Sequence, residues 1–486
     1  MVLLSELVER GLGRCSVQVL NDSRRIGART VRLRAGAGPV ALVAILTNDV
    51  DSIELILSAV ESGVSLVSLP LPARGSDFGE YASFLRGVAS EYMSPYVICS
   101  AHVGELLAQL GLECIRPVNA RVDSAAAKGF ELHQYTSGTT GSPRKIRLSD
   151  AVIGANVDAI LERLGPLKGD ATVSWLPLSH DMGLIGMLLS AVAAAGDNYA
   201  GSTGVHLMRP EDFMRNPTSW LSAISELGGA FTAVPNFALE LLVRREARNF
   251  IGDLSSIRCL IVGSDVVRGE TLDAFEGAFA ERGLGPLALS PAYGMAELAL
   301  CATMTPPDER WRRTGNFASS GPSLRGYSVA LENAGSDGPA PVIVTTDWWG
   351  SASSDGDPIG GSDRARVTGD LGWLSNDWLT VVGRWDDVAS VRGVNVSLIA
   401  VEEAVRASLR DRADVRRIAA IDRQGELSVL LEAERTLDET EKRLTRAAVV
   451  RACGVTPASI EVVGRGAIPV TTSGKIRRHM LRTEVD

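Results

Sequence analysis

A run of small and hydroxyl-bearing residues, YTSGTTGSPRK, occupies residues 135–145. Hydroxyl and backbone N–H groups in such a run can surround phosphate oxygens and donate hydrogen bonds to them. The run is not a Walker-type loop, because the pattern GxxxxGK[ST] is absent from it. Its residue types leave two interpretations open, an ordinary solvated loop or a phosphate-binding loop. The residues with phosphate-binding potential are Thr136, Ser137, Gly138, Thr139 and Thr140.

Five further short segments follow this run along the chain. They are WLPLSHDMGLIG from Trp175, AYGMAEL from Ala292, VTGDLG from Val367, GRWDDVASVRG from Gly383 and TTSGKIRR from Thr471. The six segments resemble, in the same order, the signature segments of the adenylate-forming superfamily, which includes acyl-CoA synthetases, luciferases and peptide-synthetase adenylation domains. Six ordered matches favour phosphate binding over the solvated-loop interpretation.

One branch of this superfamily is more similar than the others. WLPLSHDMGLIG, taken with VPNFALELL from Val234, resembles the fatty acyl-AMP ligases, and the resemblance extends over residues 41–482. Two departures argue against a long-chain fatty acid. The stretch from Glu297 to Thr368 is too short for the extra insertion that fatty acyl-AMP ligases carry, and Ser179 stands where a tyrosine usually precedes the histidine.

The resemblance implies roles at the nucleotide for several separate residues. Lys475 would reach the substrate carboxylate and the α-phosphate and neutralise the charge that develops as pyrophosphate leaves. Glu297 would bind Mg²⁺, since a hard carboxylate oxygen suits this ion beside a triphosphate. Tyr293 would stack on adenine beside Gly294 and Met295, and the glycine permits close backbone approach. The alternatives are an inert exposed lysine, a solvated acid and a core tyrosine.

The resemblance also assigns residues nearer the ribose and the hinge. Asp370, in TGDLG, would accept hydrogen bonds from both ribose hydroxyls with its two oxygens. Arg384 would assist at the ribose or the phosphates and is counted with Lys475 and Glu297 as catalytic. Asp386 holds the place of the family's hinge, where the C-terminal domain rotates between two half-reactions. A turn aspartate and a plain surface linker are the alternatives.

An acid-binding pocket is expected from the same resemblance. His180 and Asp181 resemble residues of this pocket, although a lone histidine in an apolar stretch is often structural. A buried carboxylate needs a polar or cationic partner, so Asp265 indicates a short or polar acid, such as one with an amino group, unless it lies on the surface. The other expected wall residues are Asn236, Phe237, Ser264 and Met295.

The elements that position these residues alternate between strand-like and helix-like patterns. Residues 39–72 read as strand, helix, strand, with Asp51 and Ser52 as helix caps and Gly63 as a helix stop. Similar units recur near residues 96–100, 230–245, 256–263 and 287–292, which favours a layered α/β fold with parallel strands. Residues 335–363 are rich in Gly, Ser, Asp and Pro and predict a small β-rich subdomain.

The last part of the chain predicts a separate, smaller domain. VEEAVRASLRD is helix-like, RIAAID and ELSVLLEA are strand-like, and a second helix is expected from Asp438 to Cys453. We therefore divide the chain into an N-terminal AMP-binding domain, 1–382, and a mobile α+β C-terminal domain, 383–486, that carries Lys475. ATP would bind where the two domains face each other.

Composition excludes several classes of protein. The chain has 486 residues and a formal net charge of −9, which argues against a nucleic-acid binder. The six cysteines have no CxxC pairing and are read as reduced thiols. The N-terminus lacks the features of a signal peptide, and no apolar run is long enough to span a membrane, so a cytoplasmic protein is expected.

These features predict an enzyme that activates a small carboxylic acid with ATP and Mg²⁺ and releases pyrophosphate. The favoured acceptor of the acyl group is a phosphopantetheine thiol on an acyl carrier protein. Coenzyme A, an amine, or an adenylate formed from another oxyanion such as nitrite are the alternatives, as is a catalytically dead nucleotide-binding protein. The basic, helix-like KIRRHMLR near the C-terminus is either a carrier-docking site or a solvated face.

Overall fold

The structure is a computed structural model of the chain. It describes residues 2–12, 14–22, 25–26, 34–35, 41–71, 78–109, 111–116, 121–122, 129–136, 144–165, 170–196, 204–245, 249–332, 338–353, 364–392, 394–410, 412, 414–470 and 476–482.

The helices run in chain order through both halves of the molecule. They are α1 Leu4–Leu12, α2 Val50–Ser62, α3 Phe78–Glu91, α4 Ala101–Ala108, α5 Asp150–Leu164, α6 Ser190–Ala194, α7 Pro210–Arg215, α8 Thr218–Leu227, α9 Asn236–Arg245, α10 Gly269–Phe279, α11 Leu398–Ser408, α12 Glu439–Cys453 and α13 Arg478–Arg482. A π-helix, Met182–Leu189, precedes α6, and 3-10 turns lie at Ala280–Arg282, Ala296–Leu298 and Trp385–Asp387.

The strands are short and numerous. They are β1 Val17–Val19, β2 Arg25–Ile26, β3 Arg34–Ala35, β4 Ala41–Ile45, β5 Ser65–Leu69, β6 Val97–Ile98, β7 Cys114–Ile115, β8 Arg121–Val122, β9 Glu131–Thr136, β10 Arg144–Ser149, β11 Ala171–Ser174, β12 Gly204–Leu207, β13 Gly229–Pro235 and β14 Cys259–Gly263. The second half contains β15 Leu289–Tyr293, β16 Thr303–Met304, β17 Arg313–Thr314, β18 Phe317–Ala318, β19 Tyr327–Leu331, β20 Ala340–Thr346, β21 Ser351–Ser353, β22 Ala365–Ser375, β23 Trp378–Arg384, β24 Val388–Val391, β25 Val394–Ser397, β26 Arg417–Arg423, β27 Glu426–Glu432 and β28 Ser459–Val463.

Two large sheets form the N-terminal part. One has eight strands in the order β16-β15-β14-β13-β11-β12-β1-β2, and the other has seven in the order β21-β10-β9-β5-β4-β6-β7. Central pairs such as β13–β14 and β4–β5 are parallel. Strands buried on both faces read as continuous apolar runs, and every residue of β4 and β13 is buried. The predicted layered α/β architecture is confirmed.

Helix ends show how the local sequence sets these elements. Helix α2 begins after Asp49, whose side chain accepts a hydrogen bond from the backbone N–H of Ser52, and it ends at Gly63, which has a left-handed φ of 64°. The predicted stop at Gly63 is confirmed. The predicted caps at Asp51 and Ser52 were wrong, because the carboxylate of Asp49 reaches the free N–H groups of the first turn.

A four-stranded antiparallel sheet, β19-β20-β22-β23, follows the two large sheets. Its strands extend on both sides of the segment 335–363 in which a β-rich subdomain was expected. Its last two strands carry Asp370 and Arg384 at paired positions. The sheet therefore places these two residues side by side at one end of the N-terminal part.

The C-terminal part has its own small core. Sheets β24-β25 and β26-β27-β28 pack with α11 and α12 around buried apolar residues that all lie between Ala389 and Val462. The expected helix after Asp438 is present, with Asp438 and Glu441 forming a capping box. The basic segment near the C-terminus is helical only over Arg478–Arg482.

Candidate functional site

Tyr293 and Arg384, each the last residue of its strand, meet Asp370 in the middle of β22. Tyr293 ends β15, and Asp370 of β22 is paired in register with Arg384, the last residue of β23. The Tyr293 hydroxyl donates to Asp370 Oδ2 at 2.7 Å, and Arg384 Nε lies 3.6 Å from Asp370 Oδ1. Burial, and then the neighbouring Asp370, raise the pKa of Tyr293. Tyr293 therefore remains a neutral phenol that donates to the carboxylate.

Glu297 lies one turn beyond Tyr293, in the 3-10 turn Ala296–Leu298. The turn is followed by Ala299, whose φ of 68° is unusual for a residue with a side chain. Burial raises the pKa of Glu297, while the positive charges of Arg384 and Arg144 lower it and Asp181 raises it. A partly desolvated carboxylate close to two arginines is typical of a site that binds a charged ligand.

His180 and Asp181 stand at the entry to the π-helix. His180 Nδ1 and Asp181 Oδ1 are 2.5 Å apart, and the same Asp181 oxygen accepts a hydrogen bond from the backbone N–H of Met182 at 2.7 Å. Gly183 is required here, because a Cβ atom on it would lie 2.2 Å from the carbonyl oxygen of Pro177. π-helical turns are rare and occur frequently at functional sites.

The predicted pocket residues around β14 and β15 lie in two places: most line the cleft, and one lies behind its wall. Phe237, Ser264, Asp265, Gly294 and Met295 line the same cleft as Tyr293. Ser264 has a left-handed φ of 68°, and Asp265 is exposed in the cleft, where its carboxylate accepts a hydrogen bond from the backbone N–H of Val266 at 2.8 Å.

Asn236 lies behind this wall. Its side chain is 1% exposed, and its amide donates to Glu240 Oε1 at 2.9 Å and to Thr271 Oγ1 at 3.3 Å. Its carbonyl oxygen accepts from the backbone N–H of Arg268 at 3.0 Å. The structure thus places Asn236 in a buried network rather than on the cleft, because both polar groups of its side chain already have protein partners.

All of the cleft-lining residues named above belong to one cavity of about 2210 Å³. Both parts of the chain line it, since Arg465, Pro469 and Arg478 of the C-terminal part face residues such as Tyr293 and Asp370 of the N-terminal part. Asp386 also lines it, from the exposed 3-10 turn that links the two parts. The expectation that the site lies where the two parts face each other agrees with this placement.

Sequence reasoning missed a buried apolar section of the cleft lining. It is formed by residues from α5, the π-helix, α6 and strands β13, β14 and β16, nearly all of them buried. The residues are Ile160, Leu161, Leu164, Met187, Ala191, Phe231, Ala233, Ile261 and Met304. They come from elements far apart in sequence, so only the helical spacing of Ile160, Leu161 and Leu164 was available as a signal, and such spacing is shared with ordinary core helices.

Some predicted residues lie outside the described residues. They are Ser137, Gly138, Thr139, Thr140 and Lys475. Thr136 ends β9 and pairs with Arg144 of β10, so the next described element after residue 136 is a strand. Val470 and Ile476 line the cleft and pair with each other through an isolated bridge.

The donor set suits a magnesium ion held mainly by phosphate. Within the described ranges, no group of three or more His, Cys, Asp or Glu side chains is arranged to hold a metal ion. Mg²⁺ is commonly bound by one or two carboxylates together with substrate phosphates and water. A single carboxylate such as Glu297 is sufficient for that arrangement.

Among the described residues, no helix has the length and apolar character needed to cross a bilayer.

Comparison with known proteins agrees with the fold and the cleft. Residues 111–345 match the family of AMP-binding enzymes. The long-chain-fatty-acid–AMP ligase FadD26 of Mycobacterium marinum is 31% identical over 76% of this chain and 71% of its own length. The corresponding ligase FadD23 of Mycobacterium tuberculosis is 24% identical, over 93% of this chain and 87% of its own length.

Solved structures show the same architecture. A fatty acyl-adenylate ligase from a study of the E. coli and L. pneumophila enzymes superposes with a TM-score of 0.84, at 21% identity, over 99% of this chain and 97% of that one. The McyG A-PCP protein, solved with phenylalanyl-adenylate, has a TM-score of 0.79 at 19% identity, over 99% of this chain and 82% of that one.

A two-part α/β fold with its cleft between the parts defines the class of the adenylate-forming ligases. Within that class, the chain belongs to the family of the fatty acyl-AMP ligases.

Proposed function

We propose that this enzyme joins an apolar carboxylic acid to AMP and then passes the acyl group to the phosphopantetheine thiol of a carrier protein. The observation that carries the proposal is the arrangement of Tyr293, Asp370 and Arg384 beside the half-buried Glu297 in one cleft. An aromatic ring, a carboxylate, a guanidinium and a metal-binding carboxylate are the groups that a nucleoside triphosphate requires.

Each group has a role in this proposal. Asp370 accepts hydrogen bonds from the ribose hydroxyls, and the ring of Tyr293 lies against adenine. Arg384 stabilises negative charge near the phosphates. Glu297 would hold Mg²⁺, and the ion would supply positive charge beside the phosphates. Lys475 lies outside the described residues, and its proposed role is to neutralise charge at the α-phosphate. The described residues on either side of it in the chain, Val470 and Ile476, line the cleft.

The reaction then has two steps, adenylation of the acid and transfer of the acyl group. In the first, an oxygen of the substrate carboxylate attacks the α-phosphorus, and the bond from phosphorus to the pyrophosphate oxygen breaks with its electron pair leaving on pyrophosphate. In the second, a thiolate sulfur attacks the acyl carbon and AMP leaves with the electrons of the carbon–oxygen bond. Arg384 and Lys475 stabilise the charge that develops in the first step.

The buried apolar section supports an apolar acyl chain as the substrate. Ile160, Leu161 and Phe231 are almost fully buried and still line the cavity. An amino acid would place its ammonium group in such a section without a partner, which is costly. Asp265 is exposed, so the alternative of an amino-bearing acid would rest on a carboxylate that water already solvates.

The carrier protein is favoured over coenzyme A as the acceptor. The relatives FadD26 and FadD23 are named as ligases that form the acyl–AMP product. The solved McyG structure joins an adenylation domain to a PCP in one chain. We extend the acyl–AMP product and the use of a carrier protein to this chain, with coenzyme A as an outcome of the test.

The proposed domain division is 1–382 and 383–486, with Asp386 as the hinge. The apolar core that lies wholly between Ala389 and Val462 supports it, since a unit with its own core can move as a body. Gly383 precedes the hinge with a φ of 155°. The exposed 3-10 turn Trp385–Asp387 follows directly.

The test is pyrophosphate release with ATP and Mg²⁺ across a panel of short, amino, aromatic and medium-chain acids, with hydroxylamine to trap the adenylate. Medium-chain apolar acids should give the highest release. Lys475→Ala should abolish pyrophosphate release. The control is Lys442→Ala, which should leave release unchanged, because it removes an exposed lysine on α12 that pairs with Glu439. If none of the acids in the panel supports pyrophosphate release, the proposal is contradicted.

The acceptor is tested on the enzyme-bound adenylate formed with the best acid of the panel, in reactions without hydroxylamine. Holo carrier protein, apo carrier protein and coenzyme A are supplied in parallel, and the acyl thioester is measured by mass spectrometry. Acylation of holo carrier alone supports the proposal. Acylation of coenzyme A alone would assign the enzyme to the CoA ligases instead.

A further inference from the structure

Four charged side chains alternate in sign across the contact between the two parts of the molecule. Glu403 and Arg406 lie three residues apart on α11 of the C-terminal part, and therefore on the same face of that helix. Arg268 precedes α10, and Glu240 lies on α9, both in the N-terminal part. The order of contact is Glu403, Arg268, Glu240, Arg406; we call this set the interface quartet.

The contacts within the interface quartet are direct. Arg268 Nε donates to Glu403 Oε1, and Arg268 Nη1 donates to Glu240 Oε1 at 3.1 Å. Arg406 Nη1 lies 4.0 Å from Glu240 Oε2. The side chain of Arg268 is 17% exposed and that of Glu403 is 9% exposed. Two of its three ion pairs, Glu403–Arg268 and Glu240–Arg406, join one part of the molecule to the other.

The N-terminal half of the interface quartet is fixed in place. Glu240 Oε1 also accepts from Asn236 at 2.9 Å and from Thr271 at 3.2 Å. Burial opposes the charged form of both central residues, yet the neighbouring carboxylates raise the pKa of Arg268 and the neighbouring arginines lower that of Glu240. Both groups therefore remain charged at neutral pH. If α11 moved away, they would still pair with each other, but Arg268 would lose Glu403 and Glu240 would lose Arg406.

The C-terminal half is fixed as well. Glu402, next to Glu403, accepts from Arg478 at 2.7 Å, and Arg478 also pairs with Asp387 at 2.9 Å. Asp387 ends the 3-10 turn that contains the proposed hinge residue Asp386. Arg478 thus ties the hinge turn to α11, so that a rotation about the hinge carries Glu403 and Arg406 away from Arg268 and Glu240 together.

We propose that the interface quartet is a latch, with Arg268, Glu240, Glu403 and Arg406 as positioning residues that hold the C-terminal part in the orientation for adenylation. The inference rests on the proposed function, because it requires two half-reactions in two orientations. A buried ion pair contributes little net stability when made but is costly to leave half broken. The latch therefore makes one orientation well defined and sets a barrier to leaving it.

The experiment separates the two half-reactions in Glu403→Gln and Glu403→Arg. Arg410→Glu is the control, because Arg410 follows the same helix, is exposed, and donates to the backbone carbonyl of Ala407 within the C-terminal part. Adenylation is measured by acid-dependent pyrophosphate release. Transfer is measured in a single turnover from preformed acyl adenylate to phosphopantetheine. A folding defect would slow both steps, whereas loss of a latch slows adenylation alone.

We expect Glu403→Gln to slow adenylation about tenfold and Glu403→Arg to slow it further, with transfer unchanged or faster and Arg410→Glu like the wild type. Equal loss in both steps, or no loss in either, would overturn the latch. Small-angle scattering keeps the inference separate from the proposed function. If the wild type forms no adenylate, the proposed function fails. The latch is judged separately by the radius of gyration of Glu403→Arg: a larger radius than that of the wild type supports the latch, and an unchanged radius rejects it.

Discussion

The carboxylate of Asp370 is held from two sides, by the Tyr293 hydroxyl at 2.7 Å and by Arg384 Nε at 3.6 Å. Asp370→Asn keeps the size of the side chain and removes its charge. Hydrogen bonds to a charged group contribute about 1.5–3 kcal/mol, so we expect the KM for ATP to rise about 10–100-fold. Steady-state pyrophosphate release and ATP-binding calorimetry measure this.

Asp377→Asn is the matched control for this substitution. Asp377 is exposed in the turn between the same two strands, and its φ of 63° is a conformation that asparagine tolerates. It should leave ATP binding unchanged. An Asp370→Asn enzyme with an unaltered KM would show that the ribose is bound elsewhere.

Glu297 is the residue whose ionisation should be visible in stability. Its pKa is raised above 4.5 by burial first, with Asp181 acting in the same direction. The folded protein therefore holds this proton more tightly than the unfolded chain does, so the resulting stability is full below the unfolded pKa and is lost as pH rises through the folded pKa.

We accordingly expect Glu297→Gln, which stays neutral, to melt at a higher temperature than the wild type at pH 7, with a difference that shrinks towards pH 4. Thermal unfolding at a series of pH values measures it, and Glu281→Gln at an exposed position controls for the change of residue type. The same variant should lose magnesium-dependent adenylation. A melting difference that is constant with pH would contradict the stated cause.

At the scale of elements, the π-helix Met182–Leu189 is the least ordinary part of the cleft wall. Gly183 in its first turn has no space for a Cβ atom, which would lie 2.2 Å from the carbonyl oxygen of Pro177. Gly183→Ala should therefore destabilise the protein by about 1–3 kcal/mol. It should also slow adenylation, since His180 and Asp181 precede the same turn.

Gly87→Ala in α3 is the matched control, because a Cβ atom there would meet nothing within 4 Å. Replacing a glycine in an exposed helix by alanine stabilises it by roughly 0.5–1 kcal/mol. Denaturant unfolding of both variants should thus give changes of opposite sign. Loss of stability in both would mean that Gly183 is not specially constrained.

The elements also show how far the sequence could be read. The strand and helix alternation and the stop at Gly63 depend on local patterns, and the structure agrees with them. The cap at Asp49 was missed by two positions, because Asp51 and Ser52 have equal capping propensity in the sequence. The apolar section of the cleft was missed because Leu161 and Phe231 meet only through tertiary packing. Asn236 was placed on the wall because its motif does not reveal which way its amide points.

At the scale of the whole molecule, helix α11 has two apolar faces, one packed against the N-terminal part and one in the core of the C-terminal part. Ile399 packs with Val266, Phe317, Leu371 and Val382 of the N-terminal part. Val401, two residues away, is fully buried in the separate core of the C-terminal part. One helix therefore holds its own domain together and docks that domain beside the cleft.

Because the two faces pack against different parts, shortening a side chain on one face should have a different result from shortening one on the other. Ile399→Ala should weaken docking, so adenylation falls about tenfold or more while the C-terminal core stays folded. Val401→Ala should instead destabilise that core by on the order of 2 kcal/mol. Hydrogen exchange in α12 and β27 separates the two, since it reports the local stability of the core. Faster exchange in α12 after Ile399→Ala would mean that docking and folding of the C-terminal part are one event, and the proposed hinge would then have no independent body to move.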